Sequence, residues 1–208
     1  MPVKSLCVMV SGGGSNLQSV MDAIARGEIK ARIALVLSSR EDAYALTRAK
    51  NAGIPTRVVA PSSYGSREAF DQAVLEALEA SGADYIILAG YLCLLGGNII
   101  GKFKNRIINI HPALIPAFCG KGYYGEKVHK AVLEYGAKVS GATVHFVDEG
   151  TDTGPIILQT CVPVLDEDDE HTLAARVLEK EHELLPKAVK LLTEGKLRIE
   201  GRRVRITG

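Results

Sequence analysis

The chain has 208 residues, which is enough to bury the core of one domain. Its 25 lysines and arginines nearly balance its 24 aspartates and glutamates, which excludes the strong basic field that gathers nucleic acid or an anionic membrane. The cysteines stand too far apart for a metal or redox motif and predict reduced thiols: Cys7, Cys93, Cys119 and Cys161. Because only Lys4 precedes the first apolar run as a charge, we expect no signal peptide, no membrane span and a cytoplasmic protein.

The first half of the chain alternates between apolar strands and amphipathic helices, which is the pattern of a parallel sheet. Strands are predicted at residues 6–10, 33–37, 56–59 and 85–88. Helices are predicted after a cap at Ser15 or Asn16, at residues 42–52, and after a cap at Ser66. Residues 89–95 leave the fourth strand and are too apolar for an exposed loop, so we expect a pocket wall or a short helix there.

The second half of the chain predicts further strands and a mixed sheet. These strands fall at residues 106–111, 143–147 and 156–164. The last two are expected to be antiparallel neighbours because the connector 148–155 is short. The acidic run 166–170 suits the start of a long helix, and residues 196–206 alternate like a small hairpin. We therefore predict an α/β domain over residues 1–195 with a mostly parallel, mixed sheet, and a hairpin-like tail at 196–208.

Two polar side chains share one face where the strand before Pro112 ends. Asn109 and His111 are two residues apart and so point to the same side, whereas Ile108 and Ile110 point to the other. Pro112 stops the strand because it has no backbone donor. Taken alone, the pair is equally well explained as catalytic or as satisfying nearby backbone groups.

A glycine loop at residues 12–14 lies between the first strand and the first helix. Several free backbone N–H groups and the positive end of the helix dipole converge there, which favours an anion. Leu17 stands where a dinucleotide fingerprint needs a glycine, and residues 38–40 contain no ribose-binding acid. A single phosphate therefore fits better than a dinucleotide, and a glycine turn that serves only packing is the alternative.

Several other polar residues have an ordinary explanation when each is taken alone. Asp152 lies in a glycine-containing turn and could reach the strand end of Asn109, yet a lone turn aspartate is usually structural. Arg67 at a helix start is more often solvated than functional. His145 alternates with Thr143 on its strand, and a satisfied core histidine is the commoner interpretation.

Taken together, these segments resemble the family of folate-dependent phosphoribosylglycinamide formyltransferases. The resemblance covers roughly residues 5–195 in order, and its motifs are Gly14-Ser15-Asn16, Ser66-Arg67-Glu68, Leu88-Ala89-Gly90-Tyr91, Asn109-Ile110-His111-Pro112, Val144-His145-Phe146-Val147, Asp152 with Gly154-Pro155, and Glu181-His182. Each motif is weak alone, but the ordered set is highly specific. The sequence departs from many relatives at Ala117 and Leu178, where they often carry polar residues.

The resemblance implies a single Rossmann-like, three-layer domain and a one-carbon transferase of purine biosynthesis. It implies that 10-formyltetrahydrofolate is the cosubstrate and glycinamide ribonucleotide the substrate, without a metal, nucleic acid or membrane. The implied catalytic residues are Asn109, His111 and Asp152. The implied ribonucleotide contacts are Gly14, Ser15, Asn16 and Glu181. The implied folate contacts are Arg67, Leu92, Cys93, Leu94, Leu95, Asn109 and Asp148.

Other functions stay open at this point. A formyltetrahydrofolate hydrolase or a methionyl-tRNA formyltransferase resembles the chain around His111 and Asp152, although both differ from it in length. The glycine loop and residues 38–40 leave an NADP-binding oxidoreductase as a distant alternative, and a non-catalytic nucleotide-binding protein as another. The oligomeric state is also open, with a homodimer among the options.

Overall fold

The computed structural model describes residues 2–208. It divides into two compact units, the first ending at Ile108 and the second running from Asn109 to Gly208. Strand and helix alternate in the first unit, and antiparallel pairs appear in the second. The predicted α/β class with a mostly parallel, mixed sheet is confirmed, while the predicted domain boundary at residue 195 stays a prediction.

The first unit is a parallel sheet with its connecting helices. Its strands are β1 (Lys4–Val10), β2 (Ala31–Ser38), β3 (Thr56–Val58), β4 (Tyr85–Leu88) and the start of β5 (Ile107–His111). Its helices are α1 (Ser15–Ala25), α2 (Tyr44–Asn51), α3 (Arg67–Ala80) and α4 (Gly97–Lys102), with a 3₁₀ turn at Pro61–Ser63. The strand order is β3-β2-β1-β4-β5, and β1 pairs in parallel with both β2 and β4.

Burial explains why β1 is the centre of this unit. Residues 6–10 are fully buried, as a strand covered on both faces requires. The predicted cap of α3 is confirmed, because the Ser66 side chain accepts a hydrogen bond from the Ala69 N–H. The predicted side-chain cap of α1 is wrong, because Gly14 takes that position in a left-handed conformation. Helix α4 escaped prediction because it is only six residues long and contains two glycines.

The second unit combines antiparallel strands with one long helix. Its elements after β5 are α5 (Glu126–Tyr135), β6 (Val139–Phe146), β7 (Ile156–Pro163), α6 (Glu170–Thr193), β8 (Leu197–Glu200) and β9 (Arg203–Ile206). The strand order is β5-β6-β7-β9-β8. The predicted antiparallel pair β6 and β7 is confirmed, and β8 and β9 form the predicted hairpin.

Helix α6 covers β6 and β7 and begins as its acidic approach predicts. Asp169 accepts hydrogen bonds from two N–H groups of the first turn, and Thr172 completes a capping box. Its apolar stripe includes the fully buried Leu173, Val177 and Leu185. Within residues 2–208, no helix is both long enough and apolar enough to cross a bilayer.

Candidate active site

Side chains from β5 and β6 meet the carboxylate of Asp152 in the second unit. Asp152 Oδ2 lies 3.6 Å from His111 Nδ1, and Oδ1 lies 3.5 Å from His145 Nε2. The Asn109 amide donates to Oδ1 at 3.4 Å, and the Gly120 N–H donates to Oδ2 at 3.0 Å. Both imidazoles are buried, and the side chain of Asp152 is only 11% exposed. The structure therefore brings together the three residues predicted to be catalytic and adds a fourth, His145.

The turn that carries Asp152 has a tight backbone conformation. Asp152 has a φ of +57°, a left-handed conformation that aspartate tolerates better than most residues. Asp148 at the start of this turn accepts hydrogen bonds from the Thr153 hydroxyl at 2.5 Å and the Gly150 N–H at 3.2 Å. These bonds close the loop on itself, and the predicted contact of Asp148 with folate stays a prediction.

His111 has one ring nitrogen committed and one free to titrate. Its Nε2 lies 2.9 Å from the Phe118 carbonyl, which can only accept, so Nε2 carries a hydrogen. In the neutral ring, Nδ1 is then the unprotonated nitrogen, and it faces Asp152. Burial lowers the pKa of His111 below its ordinary value, while the charge of Asp152 and the Phe118 hydrogen bond act to raise it. The expected upward influence of Asp152 is present, but desolvation outweighs it.

The carboxyl group of Asp152 stays ionised in this environment. Burial alone would raise its pKa, but hydrogen bonds and the two imidazoles overcome that cost, so the pKa lies below its usual value. The Gly120 N–H, which donates to Oδ2, is one of the groups that lower this pKa. A fixed negative charge is therefore available beside Nδ1 of His111 at neutral pH.

His145 holds Asn109 in place, which sequence patterns did not predict. The Nδ1 of His145 lies 2.8 Å from the Phe146 carbonyl and therefore carries a hydrogen. Its Nε2 then accepts from the Asn109 amide at 3.2 Å. The expectation of a satisfied core histidine is confirmed, because the ring is buried and each nitrogen has a partner, but one of these partners is the predicted catalytic residue Asn109. In the sequence, only the position of His145 on a predicted strand hints at this contact, and that position does not show that Asn109 lies on the neighbouring strand.

A network of hydrogen bonds holds the chain that follows His111. The Thr143 hydroxyl donates to the Ala113 carbonyl at 2.6 Å and accepts from the Ile115 N–H at 3.1 Å. The Gln159 side chain donates to the same hydroxyl and to the Ile115 carbonyl, each at 2.9 Å. These bonds hold residues 113–115 to β6 and β7 directly after the end of β5.

The glycine loop of the first unit packs tightly against α2. Gly14 has a φ of +73°, and a Cβ added there would lie 2.5 Å from the Ala45 Cβ. Ser15 opens α1, and Gly14 accepts the first helical hydrogen bond from Gln18 at 2.9 Å. Asn16 is buried in the first turn, at 8% exposure. The start of α1 has no side-chain cap, and the binding of a phosphate there stays a prediction.

Residues 89–96 form no helix, and part of this segment lines a groove of the first unit. The groove has a volume of about 510 Å³ and is lined by Pro61, Tyr64, Ser66, Arg67, Phe70, Leu92, Cys93 and Leu94. Arg67 donates to Asp71 at 2.8 Å and makes a very short hydrogen bond to the Leu94 carbonyl. Leu92 and Leu94 are more than half exposed and give the groove apolar walls. Leu95 lies outside this lining.

The remaining predicted site residue, Glu181, lies on α6 and is buried at 8% exposure. Its contact with a ribonucleotide stays a prediction. Across residues 2–208, no three His, Cys, Asp or Glu side chains are grouped so as to hold a metal ion.

Comparisons with known proteins identify the class to which this fold and site belong. A model of the family described as formyl transferase matches residues 4–189. The chain belongs to this family, as its motifs predict.

Individual relatives carry a more particular name. The chain is 42% identical over 195 residues to the chloroplastic phosphoribosylglycinamide formyltransferase of Vigna unguiculata, covering 93% of this chain and 62% of that protein. It is 39% identical over 198 residues to the phosphoribosylglycinamide formyltransferase of Haemophilus influenzae, covering 95% and 91%. The crystal structure of glycinamide ribonucleotide transformylase 1 from Symbiobacterium toebii matches with a TM-score of 0.94 and 48% identity, covering 99% of this chain and 95% of that one.

Proposed function

We propose that this protein transfers the formyl group of 10-formyltetrahydrofolate to the amine of glycinamide ribonucleotide. The observation that carries the proposal is the buried cluster in which His111 and Asn109 converge on Asp152. Membership of the formyl transferase family supports the transfer of a formyl group, and the names of the relatives support glycinamide ribonucleotide as the acceptor. No metal enters the proposed reaction.

The reaction needs donors for a developing negative charge. The amine attacks the formyl carbon, and the carbonyl oxygen becomes an oxyanion as the new C–N bond forms. An amide N–H such as that of Asn109 stabilises an oxyanion and is worth about a hundred- to a thousandfold in rate. The Asn109 amide has two hydrogens: His145 accepts one and fixes the orientation of the amide, and the other, which reaches Asp152 at 3.4 Å in the free protein, would turn to the oxyanion.

The reaction also moves one proton from the attacking amine to the departing folate nitrogen. Nδ1 of His111 is suited to carry it, because the other ring nitrogen is committed to the Phe118 carbonyl. Burial keeps the pKa of His111 low in the free protein, whereas an oxyanion forming nearby would raise that pKa during the reaction. Asp152 would stabilise the imidazolium and hold a proton-carrying water. General acid–base action of this kind contributes about a hundred- to ten-thousandfold.

In the proposed complex, residues of the first unit bind the parts of the two ligands that do not react. The glycine loop with Ser15 and Asn16 would bind the ribonucleotide phosphate through backbone donors. Arg67 and the groove beside Leu92 would bind the folate, a flat ring system with an acidic tail. In the second unit, Glu181 would contact the ribose, and the backbone of residues 148–152 would contact the folate.

The test is release of deformylated folate, followed by absorbance with glycinamide ribonucleotide present and then omitted. We expect release only in its presence. Undiminished release without the ribonucleotide would instead indicate a formyltetrahydrofolate hydrolase. No release under either condition, together with a shift of NADPH fluorescence on mixing, would indicate the oxidoreductase alternative.

A further inference from the structure

We propose that Arg48 is a positioning residue for the ribonucleotide phosphate, acting through the carbonyl side of the glycine loop. The inference rests on the proposed function of that loop. Arg48 lies on α2, and its Nε donates to the Gly13 carbonyl at 2.8 Å. Its Nη1 donates to the Gln18 side chain at 3.2 Å, and its guanidinium carbon lies 5.0 Å from the centre of the Tyr44 ring. Three contacts therefore fix the guanidinium group.

A second contact from α2 holds the neighbouring peptide in the same way. The Ala45 N–H donates to the Gly12 carbonyl at 3.0 Å. The carbonyls of Gly12 and Gly13 thus both point toward α2. In a planar trans peptide the N–H points away from the C=O, so the N–H groups of Gly13 and Gly14 point away from α2. Within residues 2–208 neither of these two N–H groups donates to a partner.

These contacts explain why the free donors face one direction. Two adjacent N–H groups on one side of a loop, next to a helix start, form a concave donor set that suits a phosphate. The tight contact of Gly14 with Ala45 leaves the loop no space to move toward α2. Arg48 binds the carbonyl side of the loop, opposite the free N–H groups of Gly13 and Gly14. It therefore holds these N–H groups in place for a phosphate without touching the phosphate itself.

The position of Arg48 distinguishes an arginine that binds a phosphate directly from one that holds the phosphate-binding loop in place. A direct ligand would place its guanidinium on the N–H side of the loop. Arg48 instead uses Nε on the Gly13 carbonyl, and its effect should depend on that hydrogen bond as well as on its charge. Lysine keeps the charge and a donor group but loses the planar guanidinium that reaches both the Gly13 carbonyl and Gln18.

The experiment measures binding by titration calorimetry, using glycinamide ribonucleotide and its phosphate-free ribonucleoside as probes. Arg48→Met keeps the aliphatic stem and removes every donor, and Arg48→Lys is the conservative variant. Arg26→Met is the matched control, because Arg26 forms a surface ion pair with Glu28 beyond the other end of α1. Thermal unfolding of each variant is recorded beside the titrations.

We expect Arg48→Met to weaken ribonucleotide binding by roughly ten- to a hundredfold, the range for loss of a hydrogen bond from a charged group. Arg48→Lys should recover part of that loss, and Arg26→Met should bind as the wild type does. The phosphate-free probe should bind all variants equally. Unchanged ribonucleotide affinity in Arg48→Met, or an equal loss for the phosphate-free probe, would overturn the inference.

Turnover of the same variants separates this inference from the proposed function. In Arg48→Met the KM for the ribonucleotide should rise, while the KM for the folate stays near its wild-type value. A wild type that binds the ribonucleotide with the predicted dependence on Arg48 but does not formylate it would overturn the proposed function alone. Normal formylation with equal ribonucleotide KM in all variants would overturn the Arg48 inference alone.

Discussion

His111 Nδ1 lies 3.6 Å from Asp152 Oδ2, so the one ring nitrogen that can change its protonation state faces a carboxylate. Two opposing effects act on this nitrogen. Burial lowers the pKa of His111, and the carboxylate charge raises it again. The pair therefore holds an imidazole that is mostly neutral at rest, beside a charge that stabilises it once it is protonated.

The first prediction concerns Asp152→Asn, which removes the charge with little change of shape. The pKa of His111 should fall further, because burial is then opposed only by the hydrogen bond to Phe118. The limb of the pH–rate profile that belongs to His111 should move to lower pH, and kcat should fall by about a hundredfold or more, within the range for general acid–base groups. NMR titration of the imidazole and a pH–rate profile measure the two effects.

Asp166→Asn is the control for this change, since Asp166 is exposed and pairs with Lys138 on the surface. It should leave both the pKa of His111 and kcat as they are. An unchanged His111 pKa with near-normal kcat in Asp152→Asn would reduce Asp152 to a turn residue.

The second prediction concerns His145, which accepts a hydrogen bond from the Asn109 amide. His145→Phe keeps a ring but removes the acceptor, so Asn109 should lose its fixed orientation. Loss of one net hydrogen bond corresponds to about a two- to tenfold decrease in kcat, with ribonucleotide KM spared. His145→Gln, which can still accept, should recover part of the rate.

His171→Phe is the comparison for this variant, because the imidazole of His171 is 69% exposed. Its kcat should match the wild type. Full activity of His145→Phe would show that Asn109 keeps its orientation without this partner.

The third prediction concerns Gly14→Val. A side chain at Gly14 would collide with Ala45 and would also force a branched residue into a left-handed conformation. Ribonucleotide binding should be largely lost, because the loop must move away from α2. Gly27→Val is the matched control, since Gly27 has a φ of +75° but nothing within 4 Å of an added Cβ.

Both glycine variants should lose roughly 1–2 kcal/mol of stability from backbone strain, as measured by urea unfolding, and Gly14→Val should lose more because it also collides with Ala45. Only Gly14→Val should lose ribonucleotide affinity. If a folded Gly14→Val protein binds the ribonucleotide as tightly as the wild type, the loop is not its phosphate site.

The fourth prediction concerns Arg67, which bonds the Leu94 carbonyl and lines the groove. Arg67→Ala should weaken folate far more than ribonucleotide, since one charge-assisted contact is worth roughly 1.5–3 kcal/mol. Calorimetric titration with each ligand gives the two affinities. Arg57→Ala, at an exposed position on β3, should change neither. Equal weakening of both ligands in Arg67→Ala would contradict the assignment of the groove to folate.

The sequence predicts the alternating architecture because the spacing of apolar residues is a local property. It also predicts that Asn109 and His111 face one side, because a strand has a period of two. It does not reveal the contact of His145 with Asn109, because that depends on the register of strands far apart in the chain. For the same reason Arg48 appears in sequence as an ordinary helical arginine, and its bond to Gly13 is visible only in the folded chain.

The pKa of His111 shows a second limit of sequence analysis. The direction of the Asp152 effect follows from charge alone and is predicted correctly. The larger effect of burial depends on how many groups cover the ring, which no local pattern specifies. The net direction of the shift therefore emerges only from the three-dimensional packing.

The most direct measurement follows a ¹³C label from the formyl group of 10-formyltetrahydrofolate by NMR, with glycinamide ribonucleotide present. The wild type should transfer the label to the amine of the ribonucleotide, and His111→Ala should do so at least about a hundredfold more slowly, within the range for loss of a general acid. Label that appears as free formate in the wild type, or transfer by His111→Ala at the wild-type rate, would contradict formyl transfer catalysed by this cluster.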